Sequence, residues 1–133
     1  GYVSPAPRDY VGEYPLQAPE SRAVFDFTVS HNFALTLSYH TQGEVIFWQY
    51  LDYNPPGAYE TAQEFSRLSG YAVADVPYAS GFAGYKDWFI YKYNRPGYTI
   101  EAGKGVSPLP LENFDGIYKA NRGILVSALT AVR

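Results

Sequence analysis

The stretch FALTLSYHTQG, residues 33–43, decides the fold expected for this chain. Apolar residues alternate with small or polar ones from Phe33 to Tyr39, which is the period-two pattern of a strand with two unequal faces. His40 ends the strand, and the next three residues turn the chain into a second apolar run. In open α/β sheets, ligands and metals gather outside the carboxyl ends of the strands. His40 is therefore a candidate ligand, and the alternative is a histidine that is only hydrogen-bonded at a strand end.

The length of 133 residues is that of one ordinary domain, so residues 1–133 are expected to form a single unit. A net charge of -3, with scattered basic residues, argues against nucleic-acid binding. The chain has no cysteine, so any metal would need histidine and carboxylate ligands. No apolar run reaches the roughly 18 residues of a membrane span. Aromatic residues make up 18% of the chain, which predicts that some of the rings line a surface or a groove.

Helical and strand-like patterns alternate along the chain and predict an α/β fold. Four helices are expected, one starting at Pro19 and three within 58–69, 87–93 and 110–133. Four strands are expected, at 33–40, 45–50 and 98–102 and, as an edge strand, within 71–78. Residues 1–18, which are rich in proline, read as an extended segment, and residues 79–81 as a small-residue loop. His31 follows the first helix and is expected to have only a structural role.

A second strand end carries a chemical group, because the strand 98–102 contains Glu101 just before a glycine-containing turn. A neutral imidazole and a carboxylate together suit metal-assisted hydrolysis, in which one binds the metal and the other takes a proton from water. Such paired polar residues also arise as structural hydrogen bonds, so the spacing by itself leaves both readings open.

Four runs together resemble, in order, the C-terminal half of the catalytic domain of zinc carboxypeptidases of the carboxypeptidase A type. They are YPLQAPESRAVFDF (14–27), LTLSYHTQGEVIFWQY (35–50), PYASGFAGYKDW (77–88) and GYTIEAG (97–103). Within that family the chain looks most like the bacterial γ-D-glutamyl-L-diamino acid endopeptidases, which trim peptidoglycan peptides. The resemblance implies the C-terminal portion of a mixed, mostly parallel twisted sheet packed by helices. It also implies a bacterial protein of the cell wall or cell exterior, with the cytoplasm left open.

The resemblance also implies roles for individual residues. His40 is the last zinc ligand, and Glu101 is the general base and acid that acts on the zinc-bound water. Thr41 and Gln42, directly after the ligand, match positions that line the substrate groove.

Two further residues are assigned to the substrate by the same resemblance. Tyr78 lies at or one place from the mobile tyrosine that closes over the substrate's terminus. Lys86 matches the floor of the specificity pocket, where a cation would attract an acidic group on the leaving residue, such as the carboxylate of diaminopimelate. The alternatives are an ordinary loop tyrosine and a solvated surface lysine.

One departure from the family pattern concerns the metal. The family's first two zinc ligands come from a His-x-x-Glu motif, whereas His31 and His40 are the chain's two histidines and are followed three places on by Ala34 and Gly43. Catalytic zinc sites need about three protein ligands. We therefore expect a fragment of a zinc peptidase that binds no zinc through three of its own residues and has no activity alone. It should also associate with another copy of itself, or retain a contaminating partner, through the surface that the missing half would cover.

Two other functions remain open at this stage. One is an ordinary metallocarboxypeptidase that prefers acidic C-terminal residues, for which Lys86 is again the evidence. The other is a non-catalytic module that binds glycan or peptide on its tyrosines and on Trp48 or Trp88.

Overall fold

The computed structural model describes residues 4–7, 10, 12–78, 81–82 and 84–131. The chain forms two compact units, residues 1–33 and residues 34–133, and each is described by itself. That the whole chain is a single domain stays a prediction. Most of the predicted loop 79–81 lies outside the described residues, because positions 79 and 80 are not among them. No helix in the described part is long and apolar enough to span a membrane.

The first unit contains one helix, α1 (Pro19–Val29), which starts at the proline that the sequence predicted. Pro19 fits the first helical turn, where its missing N–H is not needed, and Glu20 lies near the positive end of the helix dipole. Just after the helix, Nδ1 of His31 lies 2.7 Å from the carbonyl oxygen of Phe27, and the imidazole stacks on Phe33. This is the structural environment expected for His31.

The second unit is built on a four-stranded sheet whose strands run in the order β1-β4-β2-β3. The strands are β1 (Thr36–His40), β2 (Val45–Phe47), β3 (Ala72–Ala74) and β4 (Gly97–Glu101). β1 pairs with β4 and β2 with β3 in parallel, whereas β2 and β4 are antiparallel. The predicted mixed, mostly parallel sheet is confirmed, as is the edge position of β3.

Three helices pack on this sheet, which confirms the predicted α/β fold. They are α2 (Ala58–Ser69), α3 (Tyr85–Tyr93) and α4 (Phe114–Ala128), the last preceded by a 3₁₀ turn at Leu111–Asn113. α2 has the predicted bounds, and Gly70 ends it with a φ of 79°, a conformation that glycine adopts without a Cβ clash. α4 is shorter than the predicted segment 110–133, because a 3₁₀ turn occupies its expected first turn.

One face of the sheet forms the apolar core with α2 and α4. Tyr98 and Ile100 of β4 are fully buried on this face. The ring of Tyr98 meets Phe65 of α2 edge-on at 5.0 Å, and its hydroxyl donates a 2.9 Å hydrogen bond to the carbonyl of Ala58. Ile124 of α4 completes this contact region. The core therefore lies on the face to which the even-numbered residues of β4 point.

Candidate active site

The residues His40 and Glu101 are neighbours across two parallel strands. The register of β1 and β4 pairs Thr36 with Gly97 and continues in step to pair His40 with Glu101. Residues paired in register point to the same face of a sheet, and both residues are the last of their strands. The imidazole and the carboxylate therefore start from neighbouring positions on one face, at the carboxyl ends of parallel strands, where ligands bind in α/β sheets.

This face of the sheet is the one that α3 covers. A Cβ placed on Gly97 would lie 3.3 Å from Cγ of Lys86 and from Cγ1 of Ile90, both in α3. Since alternate residues share a face, Glu101 points to the same side as Gly97. α3 contacts the strands at their starts, whereas His40 is exposed and Glu101 is half-buried at their ends. His40 and Glu101 are thus accessible to solvent at one end of this polar face, and α3 covers its other end.

The loops after the two strands are joined to each other beside this pair. The amide of Gly43 donates a 2.7 Å hydrogen bond to the carbonyl of Gly103, and Lys104 forms a 2.8 Å ion pair with Glu44. The hydrogen bond to Glu44 raises the pKa of Lys104. These contacts join the loop that follows His40 to the loop that follows Glu101.

Thr41 and Gln42, the predicted groove residues, are exposed and directly follow His40. The peptide bond between them is cis. The hydroxyl of Thr41 lies 3.5 Å from that of Ser107, in the loop after β4. On the opposite face, partial burial raises the pKa of Tyr39 to about 12, with a further contribution from Tyr71, so this phenol is neutral at physiological pH.

Lys86 is a buried lysine, with 3% of its surface exposed, so the reading of a solvated surface lysine is wrong. Its Nζ donates to the carbonyl of Gln49 at 2.6 Å and forms an ion pair with the buried carboxylate of Asp87. Two of its three N–H bonds have acceptors among the described residues, which leaves one for another acceptor. Its stem lies at the start of β4, four residues and therefore about 13 Å from Glu101.

Tyr78 lies on the surface with 76% of its area exposed, and its ring meets Phe82 edge-on at 4.9 Å. It lines a cavity of about 430 Å³ together with Val76, Gly81 and residues 49–52. Gln49 belongs to this lining and also accepts the hydrogen bond from Lys86. Tyr78 and Lys86 are therefore both placed near Gln49, at a distance along the sheet from His40 and Glu101.

Three residues with a place in this arrangement were missed by the sequence analysis. Ser38 and Thr99 form a half-buried register pair on the same face, between the level of Lys86 and that of Glu101. Thr99 could have been identified from the sequence, because the strand alternation places it on the same face as Glu101. Asp87, the buried partner of Lys86, gave no signal, because adjacent residues on a helix do not normally face each other.

The aromatic residues of the alternative binding module are placed elsewhere. Trp48 packs at 5.0 Å from Tyr59 beside a cavity of about 480 Å³ at the start of α2. Trp48 follows β2, which runs antiparallel to β4, so this cavity lies toward the end of the sheet away from Glu101. Trp88 packs edge-on against Tyr93 at 5.8 Å.

The described residues do not complete a metal site by themselves. Within them, no group of three histidine, cysteine, aspartate or glutamate side chains is placed to hold an ion. A catalytic zinc needs about three protein ligands, and His40 with the adjacent Glu101 offers fewer. The donors among the described residues therefore do not fit a zinc ion without further ligands.

The sequence of the chain matches the family model described as zinc carboxypeptidase over residues 3–122. The chain belongs to the zinc carboxypeptidase family. Membership agrees with the resemblance found in the four sequence runs, and zinc is the metal that the family name implies. The fold of this zinc carboxypeptidase chain is similar to that of carboxypeptidase A from Helicoverpa armigera, with a TM-score of 0.63 and 20% sequence identity. The similarity covers 92% of this chain and 36% of that chain.

Two bacterial proteins are more similar in sequence. The chain is 48% identical over 126 residues to γ-D-glutamyl-L-diamino acid endopeptidase 1 of Lysinibacillus sphaericus, which covers 95% of this chain and 31% of that protein. It is 41% identical over 127 residues to the uncharacterized protein YqgT of Bacillus subtilis strain 168, covering 96% of this chain and 34% of that protein. The chain therefore spans about a third of the length of the curated relatives that it matches.

Proposed function

We propose that this chain is the C-terminal part of the catalytic domain of a zinc-dependent peptidase that hydrolyses γ-D-glutamyl bonds to diaminopimelate, or a related diamino acid, in peptidoglycan peptides. The observation that carries the proposal is the register pair of His40 and Glu101 at the ends of β1 and β4. The relative that is 48% identical, named as a γ-D-glutamyl-L-diamino acid endopeptidase, supports the choice of substrate. Its bacterial source supports a place in the cell wall or outside the cell.

The two paired groups divide the work at the reacting centre. The exposed imidazole of His40 offers one nitrogen to the metal, whose other ligands would come from residues outside this chain. The half-buried carboxylate of Glu101 is acceptor-only when ionised, so it takes a proton from the attacking water and returns it to the leaving amine. Thr41 and Gln42, exposed directly after His40, line the groove on its open side.

The leaving residue lies along the polar face between Glu101 and Lys86. The remaining N–H of Lys86 donates to the second carboxylate of diaminopimelate at the closed end. Because Asp87 balances the charge of Lys86, the lysine selects by a directed hydrogen bond more than by net charge. Tyr78 covers the substrate from the rim of the neighbouring cavity.

The substrate proposal is tested with the intact peptidase that contains this chain. We expect faster cleavage of γ-D-glutamyl-diaminopimelate than of the matching γ-D-glutamyl-lysine peptide, which lacks the second carboxylate. Lys86→Met should reduce this preference about tenfold or more, with both rates measured for the folded fraction of the variant, because the substitution leaves the carboxylate of Asp87 buried without its partner. Equal cleavage of both substrates by the wild type would contradict the role of Lys86.

A different result would favour the ordinary carboxypeptidase instead. Lys86 is equally consistent with removal of acidic C-terminal residues from plain peptides, and faster cleavage of such peptides than of muropeptides would support that function. The aromatic cavity beside Trp48 and Tyr59 favours the third candidate, a binding module. Binding of muropeptide by the intact protein without turnover would support it.

For the chain alone we expect neither hydrolysis nor a tightly held zinc. Its donors do not complete a three-ligand site among the described residues. We also expect the chain to self-associate, because β1 is an edge strand in the described sheet and Tyr39 on it is 40% exposed. One zinc per chain by metal analysis, or a clean monomer by light scattering, would contradict the respective expectation.

A further inference from the structure

The backbone of Gly103, two residues after Glu101, is held through both of the peptide groups that flank it. Its amide donates a 3.2 Å hydrogen bond to the phenol oxygen of Tyr71, and its carbonyl accepts the amide of Gly43 at 2.7 Å. Gly103 has a φ of 75°, and a Cβ there would lie 2.6 Å from Cδ1 of Ile117 in α4. A residue with a Cβ would therefore be strained at this position and would displace the end of the Ile117 side chain.

The phenol of Tyr71 is in turn held by α4. Nδ2 of Asn121 donates to the Tyr71 oxygen at 2.8 Å and to the carbonyl of Ile117 at 2.8 Å. Tyr71 and Asn121 are 3% and 5% exposed, so these hydrogen bonds are formed out of water. Buried polar groups cost free energy unless they are paired, and here Nδ2 of Asn121 is paired twice whereas its Oδ1 is buried without a partner among the described residues.

This chain of bonds ends at the backbone of the proposed hydrolytic pair. The amide of Ala102, between Glu101 and Gly103, donates to the carbonyl of His40 at 2.8 Å. A Cβ on Gly43 would lie 3.5 Å from Cβ of Glu101, so the loop that Gly103 holds also packs against the stem of that carboxylate. Movement of the Gly103 peptide would therefore change the spacing of both functional groups.

We propose that Tyr71 and Asn121 are positioning residues, which lock the Gly103 peptide and thereby hold the loops after β1 and β4 in the geometry that His40 and Glu101 require. The proposal rests on the proposed function of these two residues. It assigns the α4 side of the sheet a part in the reaction, although neither positioning residue contacts the substrate face.

The test is Tyr71→Phe in the 133-residue chain, with Tyr98→Phe as the matched control. Both variants lose one buried phenol hydroxyl, but that of Tyr98 bonds to Ala58 in α2. Amide exchange, measured by NMR at matched global stability, should accelerate about five- to tenfold at Gly103 and at Gly43 in Tyr71→Phe only. The imidazole resonances of His40 should shift in the same variant and stay in place in the control.

Asn121→Leu provides a second variant, which keeps the phenol and removes one donor to it. We expect the same pattern with a smaller acceleration. Unchanged exchange at Gly103 and Gly43, or loosened loops with His40 resonances that do not move, would overturn the proposal. None of these measurements needs turnover, so failure of the proposed hydrolysis would appear separately, as unchanged activity of a Glu101 variant in the intact peptidase.

Discussion

The two faces of the same sheet have different tasks, although they are built from alternate residues of the same strands. On one face Tyr98 and Ile100 are fully buried against α2 and α4. On the other face Thr99 and Glu101 are half-buried, and α3 packs against the start of β4 at Gly97. The comparison teaches that stability is concentrated on the first face, which leaves the second free to carry polar groups that would be costly in a core.

The largest expected effect separates the two faces at adjacent positions. Ile100→Ala removes a fully buried side chain and should lower the free energy of unfolding by about 2–5 kcal/mol. Thr99→Ala, on the polar face, should cost about 1 kcal/mol or less. Urea unfolding of the two variants measures both values. Equal losses would break the comparison.

The ion pair between Lys86 and Asp87 of α3 is buried, unlike the other polar groups on this face. Breaking it should therefore destabilise the chain as much as a core substitution does. Asp87→Asn leaves the ammonium of Lys86 buried without its carboxylate and should lower the free energy of unfolding by about 3 kcal/mol. The control is Glu64→Gln, which breaks the exposed pair with Arg67 and should leave the unfolding midpoint unchanged. If Asp87→Asn also left the unfolding midpoint unchanged, water would have access to the pair of Lys86 and Asp87.

Alanine substitutions at two glycines should change stability in opposite directions, one in the loop after Glu101 and one on the open side of α4. Gly103→Ala places a Cβ against Ile117 at positive φ and should destabilise the chain by about 1–3 kcal/mol. Gly116→Ala in α4 meets nothing within 4 Å and should stabilise it by about 0.5 kcal/mol. Thermal unfolding measures the signs, and two shifts in the same direction would contradict the account.

The smallest effect is a pH dependence on the core face. Burial raises the pKa of Tyr98 above its usual value near 10. A raised pKa in the folded state means that the stability contributed by this group is complete below pH 10 and is lost as pH rises above it. Tyr98→Phe should therefore lose less stability than the wild type between pH 9 and 11, as measured by urea unfolding at each pH. Parallel losses would show that this phenol does not ionise on unfolding.

Much of this fold was readable from local patterns. The apolar stripe and Gly70 predicted the bounds of α2, and the alternation up to His40 predicted the end of β1. The order β1-β4-β2-β3 depends on contacts between distant residues, so only the resemblance to a family could suggest it. α4 was predicted too long, since periodicity does not register the 3₁₀ turn at Leu111–Asn113.

The candidate site was predictable in part for the same reason. The positions of His40 and Glu101 at strand ends follow from alternation and turn residues. Their register does not, because it pairs residues that are 61 positions apart in the sequence. The burial of Lys86 with Asp87 depends on the carbonyl of Gln49 as a third partner, and no local spacing indicates it. The roles of His40, Glu101, Thr41, Gln42, Tyr78 and Lys86 in hydrolysis stay predictions.

Hydrolysis by a Glu101→Gln variant of the intact peptidase tests the central claim most directly. The variant keeps the size and hydrogen-bonding shape of the side chain but cannot take a proton from water, so turnover of γ-D-glutamyl-diaminopimelate peptide should fall at least a hundredfold with a similar KM. Glu64→Gln, which alters the exposed pair with Arg67 in α2, should retain activity and serves as the control. Unchanged turnover by Glu101→Gln would contradict the account.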